Sequence, residues 1–353
     1  MIPIAQAIYR VDRSYAWNYG HAPKLPRVRR LPAAPGGRLF DYPLNSPLGI
    51  AAGPLLNSKW IEAYARVGFD ILTYATVRSG FVPALALPNI RAVENREQAA
   101  VATRRSGLNG DLTLAVSLGV PSMEPDVWRK DVRRAKERIG KGQVLIVSVL
   151  GSLPAGGDRE ALVADYAACA RWAAEAGADV VEVHLAWLDP FAGQPQAIYE
   201  NLPLSAQILH RIRTSIGVPI VAKLGAFRTP RLLHDTATRL AAWASGFTLV
   251  NSFQRRVVDE TGNAAFEGAG RDRAEVVGAN TYPAASRQIV EMLAWRRAGC
   301  WDRAVLAVGG ITSVERAHEM LREGADAALV ATAALYQPLF AIRFREQRAS
   351  RVA

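Results

Sequence analysis

Three side chains that are costly to order, His184, Trp187 and Asp189, fall close together in "VEVHLAWLDPFAGQPQ" (181–196). The first half alternates valines with Glu182 and His184, as a strand does. The second half carries Pro190, Gly193 and Pro195, as a turn-rich loop does. An imidazole has an ordinary pKa of about 6.5 and moves protons near neutrality. A carboxylate serves as a base or orients an amine. An indole offers a flat stacking face, but its nitrogen only donates. The segment reads as a strand that delivers proton-transfer and stacking groups to its own C-terminal end. His184 and Asp189 are the candidates for the proton, and Trp187 for contact with a flat substrate.

Two further signals point to a ligand. Lys223 is the lone charge in "VPIVAKLG", a strand otherwise apolar. A buried ammonium needs an anionic or electron-rich partner, either a ligand or a structural carboxylate such as Glu182 on the preceding strand. A Schiff-base lysine in an isomerase or aldolase is another reading. In "AVGGITSVERAHEMLREGADAALVATAALYQ", Gly309 and Gly310 end one strand, and Ala331, Thr332 and Ala333 end the next. Each turn precedes a helix. Small residues let backbone N–H groups approach an anion, and helix N-termini add partial positive charge. The two tips together read as a phosphate site. Asn251 and Ser252 close "GFTLVNSF" and can hydrogen-bond a ring system. Ala51, Ala52 and Gly53 in "AAGP" leave room for a flat ligand.

The elements that must position these residues are eight short apolar runs, 48–54, 70–77, 143–150, 179–186, 218–225, 246–253, 304–311 and 327–333. Continuous β-branched runs suit a sheet buried on both faces. Helix-like stretches alternate with them. "DREALVADYAACARWAAEAG" ends at Gly177, and "TSVERAHEMLREG" places Thr312 and Glu315 in capping-box register before Gly324. Eight such units predict an α/β fold, a (β/α)8 TIM barrel, over an open doubly wound sheet. Two connections, 78–142 and 254–303, are too long for one helix and are expected over the C-terminal face. Residues 1–44 are expected as an extension packed on a barrel of residues 45–353.

Composition narrows the class. The chain has 353 residues, half of them hydrophobic, and a formal charge of +11. That charge favours anionic partners or simply makes an arginine-rich surface. No run of five basic residues and no nucleic-acid motif occurs, so nucleic acid is not expected as a partner. No apolar run is long enough for a membrane span, and "MIPIAQAIYRVDRSYAWNYGHAP" lacks a signal-peptide pattern. Only two cysteines, Cys169 and Cys300, are present, without zinc spacing. A cytoplasmic enzyme with a small-molecule substrate and no metal is expected.

"NSPLGIAAGP", "VPIVAKLG", "LVNSFQRRVVDETG", "VGANTYPAA" and "AVGGI…VATAALY" occur in the order in which they occur in the dihydroorotate dehydrogenase family. The chain resembles that family from Tyr42 to Pro338, its cytosolic branch most of all. The resemblance implies a (β/α)8 barrel that binds FMN, and a homodimer. It implies that Ala51, Ala52, Gly53 and Thr76 line the flavin and that Lys223 meets its N1/C2 edge. Asn251, Ser252 and Gly278 would lie beside the cofactor, and Gly309, Gly310, Ala331 and Thr332 would hold the phosphate. His184 stands where the family has an asparagine against the flavin pyrimidine, so it is a candidate for that contact as well as for the proton.

The substrate motifs depart from the family. At the end of strand four the family has Asn-Leu-Ser-Cys-Pro-Asn with a cysteine base; here "HLAWLD" puts Trp187 in the place of the cysteine. Tyr74 replaces a lysine and is a candidate proton donor or a space filler. "RRSGLNG" (104–110) replaces the loop that holds orotate. It keeps Asn109 and leaves Arg104 and Asn251 as candidate substrate contacts. "GRDRAEV" (270–276) replaces paired glycines before Gly278. The expectation is an FMN-dependent oxidoreductase whose small, flat or anionic substrate is not dihydroorotate. The alternatives are a dihydroorotate dehydrogenase with a displaced base such as His184, and a non-redox FMN-binding subunit.

Overall fold

The computed structural model describes residues 2–3, 8–95, 99–103, 107–108 and 112–350. Eight parallel strands follow one another around a closed barrel. They are β1 (Leu48–Leu55), β2 (Ile71–Val77), β3 (Val144–Val149), β4 (Val180–His184), β5 (Ile220–Lys223), β6 (Gly246–Leu249), β7 (Ala304–Ala307) and β8 (Ala327–Val330). The outer helices are α1 (Ser58–Arg66), α2 (Pro125–Arg138), α3 (Arg159–Glu175), α4 (Leu202–Arg213), α5 (Pro230–Leu240), α6 (Tyr282–Arg297), α7 (Val314–Arg322) and α8 (Phe340–Ser350). The closed parallel barrel is the fold expected from the apolar runs.

The two-residue period of each strand divides its side chains between two cores. Ile71, Val144, Ile146, Val180, Val221, Leu306 and Leu329 form one cluster, inside the barrel. Leu72, Val147, Val181, Val183, Ala222 and Val330 belong to the larger cluster under the helices. Helix starts are fixed by side-chain caps. Asn57 accepts from the N–H of Lys59, Asp158 from Ala161 and Thr229 from Leu232. The cap of α7 is Ser313, which accepts from the Arg316 N–H at 3.3 Å, one residue later than the spacing of Thr312 and Glu315 predicts.

The N-terminal end of the barrel is closed by a hairpin, Gly37–Leu39 with Tyr42–Leu44. Leu39 is fully buried in the interior cluster. Beside it, Asp70 and Arg345 form a buried ion pair that ties α8 to the start of β2. Ser46 Oγ donates to the same carboxylate at 2.6 Å, and Arg345 Nε donates to the Gly68 carbonyl at 3.0 Å.

The two long connections join each other. Ala100–Ala102 and Thr113–Val116 from the first pair with Phe253–Val258 and Arg273–Gly278 from the second, and Ile90–Asn95 links Ala100–Ala102 to Thr113–Val116. These five strands close into a small barrel. It has its own core, which includes Val93, Ala115, Val257, Phe266 and Val276. Both connections leave the C-terminal ends of barrel strands, so this lid stands over the mouth. Among the described residues no helix is long and apolar enough to cross a membrane. Cys169 and Cys300 are both free thiols.

Removing one partner of a buried ion pair leaves an uncompensated charge. Arg345→Met is therefore expected to lower stability by about 3–5 kcal/mol, read from the denaturant midpoint. A loss no larger than that of an exposed arginine would show the pair to be dispensable.

Candidate active site

Two breaks in strand register shape the mouth. In β1 the pairing with β2 jumps from Ile50↔Leu72 to Leu55↔Tyr74. Ala51, Ala52, Gly53 and Pro54 are thus out of the ladder. Gly53 has φ +127°, and a Cβ there would meet open space. The second break lies in β2, between the pairs Val147↔Tyr74 and Val149↔Val77. The extra residue reverses which side chains face inward. Thr76 Oγ1 consequently donates to Ser148 Oγ inside the barrel at 3.0 Å.

Above the apolar interior lies a polar layer. Ser148, Glu182, His184, Lys223 and Thr248 continue the inward-facing rows, with His184 level with Lys223 and Lys223 level with Thr248. Lys223 Nζ lies 3.6 Å from Glu182 Oε1, and both side chains are almost completely buried. Among the described residues, neither Glu182 oxygen, nor His184 Nδ1, nor Thr248 Oγ1 has a hydrogen-bond partner. Glu182 answers the charge of Lys223, whereas buried polar atoms such as His184 Nδ1 and Thr248 Oγ1 are rarely left unpaired and are placed to meet a group the chain does not itself supply. Burial, then the charges of Lys223 and Arg78, push the His184 imidazolium far down, so its ring is neutral. Trp187 stands edge-on to His184, ring centroids 6.3 Å apart, and is half-buried.

Across the mouth, a cleft is lined by Asn251, Gly278, Gly309, Gly310, Ala331 and Thr332. These were expected at the phosphate or beside the cofactor, and the fold brings all six to one place. Gly310 has φ +69°, and a Cβ there would lie 2.5 Å from the Tyr282 nitrogen. At Gly278, φ +104°, a Cβ would lie 2.3 Å from the Leu112 carbonyl oxygen. Only glycine lets these two loops close on one another. Arg316 reinforces the wall by donating to the Gly310 carbonyl at 2.9 Å and to Thr312 Oγ1 at 3.0 Å. A roomier cleft at the opposite end of the barrel is lined by Arg213, Arg296 and Arg303. There Arg296 is held by Asp326, and Arg303 by the Ala241 carbonyl. Conservation of structure, rather than chemistry, is what that end of a barrel serves.

Two expected proton carriers are directed elsewhere. Tyr74 shares the outward parity of Leu72, and its hydroxyl donates to Asp131 Oδ2 on α2 at 2.8 Å. Asp131 also accepts from Ser58 N and Oγ at 2.6 Å, so Tyr74 is part of a joint between β2, α1 and α2. Asp189 folds its own loop: it accepts from the Phe191 N–H at 2.9 Å and from Asn201 Nδ2 at 2.7 Å. Arg104 and Asn109 lie outside the described residues.

Two side chains at the mouth escape the sequence reading. Arg78 follows β2 directly; its Nε donates to Ser152 Oγ at 3.0 Å, and its charge reaches His184. Its place at a strand tip was the available signal. Glu275, on the lid strand Arg273–Gly278, accepts from Asn251 Nδ2 and Ser252 Oγ, each at 3.2 Å. Burial raises its pKa, against the opposing pull of Lys223, Ser252 and Asn251. It lies in "AEVVG", where alternate residues of a short strand must face the mouth.

No family model matches the chain. Dihydroorotate dehydrogenase of Dictyostelium discoideum is 27% identical to it over 370 aligned residues, covering 97% of this chain and 97% of that protein. The chain is similar to that dihydroorotate dehydrogenase over nearly its whole length. The aligned stretch spans barrel and lid, and the closed barrel is the architecture that the family resemblance implies.

Tyr74→Phe removes one hydrogen bond and is expected to cost about 0.5–1.5 kcal/mol in a denaturant titration, with no change in ligand affinity at the mouth. An affinity change at unaltered stability would return Tyr74 to the site. His184 gives a pH test. Its folded pKa is depressed, so below its ordinary value of 6.5 the unfolded chain takes up a proton that the folded chain refuses. Stability should fall as pH drops from 7 to 5.5, with a slope approaching about 1.4 kcal/mol per pH unit from this residue alone. His184→Asn should remove that component, and equal slopes in the two proteins would contradict it.

Proposed function

We propose that the chain is an FMN-dependent oxidoreductase acting on a small, flat substrate other than dihydroorotate. The observation that carries this reading is a glycine-walled cleft at the tips of β7 and β8, at the same end of the barrel as Lys223 and as polar atoms that lack hydrogen-bond partners among the described residues. The residues present fit FMN: the cleft suits its phosphate, and the bulged Ala51–Ala52–Gly53 segment leaves space for a ring. When bound, FMN supplies a hydride acceptor and donor at N5.

The chain's own residues do the rest. Gly278, Gly309, Gly310 and Thr332 would hold the phosphate, and Lys223 would offset negative charge on the pyrimidine edge. The neutral His184 is a weak base, because burial and two neighbouring cations oppose its imidazolium. That environment favours a hydrogen bond from His184 to the cofactor edge over proton abstraction. Trp187 supports a flat substrate by stacking and cannot accept a proton, which speaks against the usual substrate.

A second reading, a dihydroorotate dehydrogenase with His184 as the displaced base, draws on the unpartnered Nδ1. One experiment separates the two. The purified protein is expected to show a flavin spectrum, as isolated or after addition of FMN. Anaerobic mixing with dihydroorotate is expected to leave that spectrum unbleached over minutes. Rapid bleaching would establish the second reading in its place. A protein that stays colourless in excess FMN would remove both.

A further inference from the structure

The proposal above leaves the kind of substrate open; Glu275 narrows it. This deepening rests on the reading that the barrel mouth is the substrate site. Asn251 and Ser252 are the neutral donors at the tip of β6, and both are already engaged by Glu275 Oε1. Asn251 Nδ2 also donates to Ser252 Oγ at 3.0 Å, so the three groups form one closed set. Oε2 makes no hydrogen bond among the described residues.

The charges around this carboxylate can be stated for each wall. From β5 comes Lys223, whose ammonium acts on Glu275 and lies 3.6 Å from Glu182 of β4. One cation thus serves two carboxylates. With both acids ionised, the cluster is net negative. With Glu275 protonated, it is neutral. In neither state does this cluster, among the described residues, leave positive charge over for a substrate anion. Arg78, another cation at the mouth, follows β2 on the opposite wall and is held on Ser152 Oγ. A second carboxylate placed beside Asn251 and Ser252 would have to displace Glu275 and face it at close range. In a partly buried cleft such repulsion is weakly screened.

We propose that Glu275 is a specificity-determining residue: an internal carboxylate occupying the donors of Asn251 and Ser252, so that the mouth takes a flat substrate bearing an amine or other N–H donor and rejects carboxylates. Sequence alone left an anionic substrate open; the hydrogen bonds of Glu275 favour the opposite polarity. The substrate's N–H group would meet Oε2, with Trp187 beside its ring.

Benzamidine and benzoate test this, being flat rings of one size and opposite charge. Binding of each to the full-length protein is measured by calorimetry, with and without added FMN. The wild-type protein is expected to bind benzamidine and not benzoate. Glu275→Gln keeps the shape and should weaken benzamidine about tenfold or more, the worth of a charged hydrogen bond. Glu275→Gly frees both donors and should gain benzoate binding. Benzoate bound at least as tightly as benzamidine by the wild type, undetectable benzamidine binding, or an unchanged ratio in Glu275→Gln would each overturn the proposal. The flavin reading fails separately, through a protein that refuses FMN, because the charge preference is a calorimetric quantity that needs no colour.

Discussion

A single buried ammonium organises the mouth of this barrel. Lys223 closes β5 among apolar neighbours, and a charge there is tolerated only when carboxylates or a ligand answer it. Glu182 answers from below and Glu275 from the lid. Burial, and then the same charge, keep His184 neutral on the adjacent strand. Floor, wall and lid are thereby coupled: altering any one of these groups alters the electrostatics of the others. On the far side the ends of β7 (Gly309 and Gly310) and β8 (Ala331 and Thr332) offer backbone N–H groups and carry no charged side chain at those positions.

Much of the scaffold was legible because a sheet buried on both faces leaves a plain trace, eight runs of β-branched residues. The glycine pairs were legible for a similar reason. Gly310 and Gly278 stand where no side chain fits, and the sequence displays that requirement directly. Lys223 was visible as a lone charge in an apolar run.

Other features depend on geometry that no run of residues displays. One extra residue in β2 sends Thr76 inward while Tyr74, two positions earlier, faces Asp131 behind the wall. A period-two reading cannot place such a bulge. Asp189 looked like a base until its oxygens were found to be committed to Phe191 and Asn201, which is a matter of loop closure. Glu275 was hidden because its strand is short and its partners Asn251 and Ser252 sit on another element.

The lid also bears on how the molecule is assembled. Its sheet joins Thr113–Val116 to Arg273–Gly278, so its hydrogen bonds wait on a long stretch of intervening chain. Contacts of such wide sequence separation form slowly, since the loop must close before they stabilise anything. On a ribosome, β1 to β5 emerge before the second half of the lid exists. The floor of the cavity is therefore synthesised ahead of its roof, and a ligand has an open route to that floor during biogenesis that the finished protein restricts.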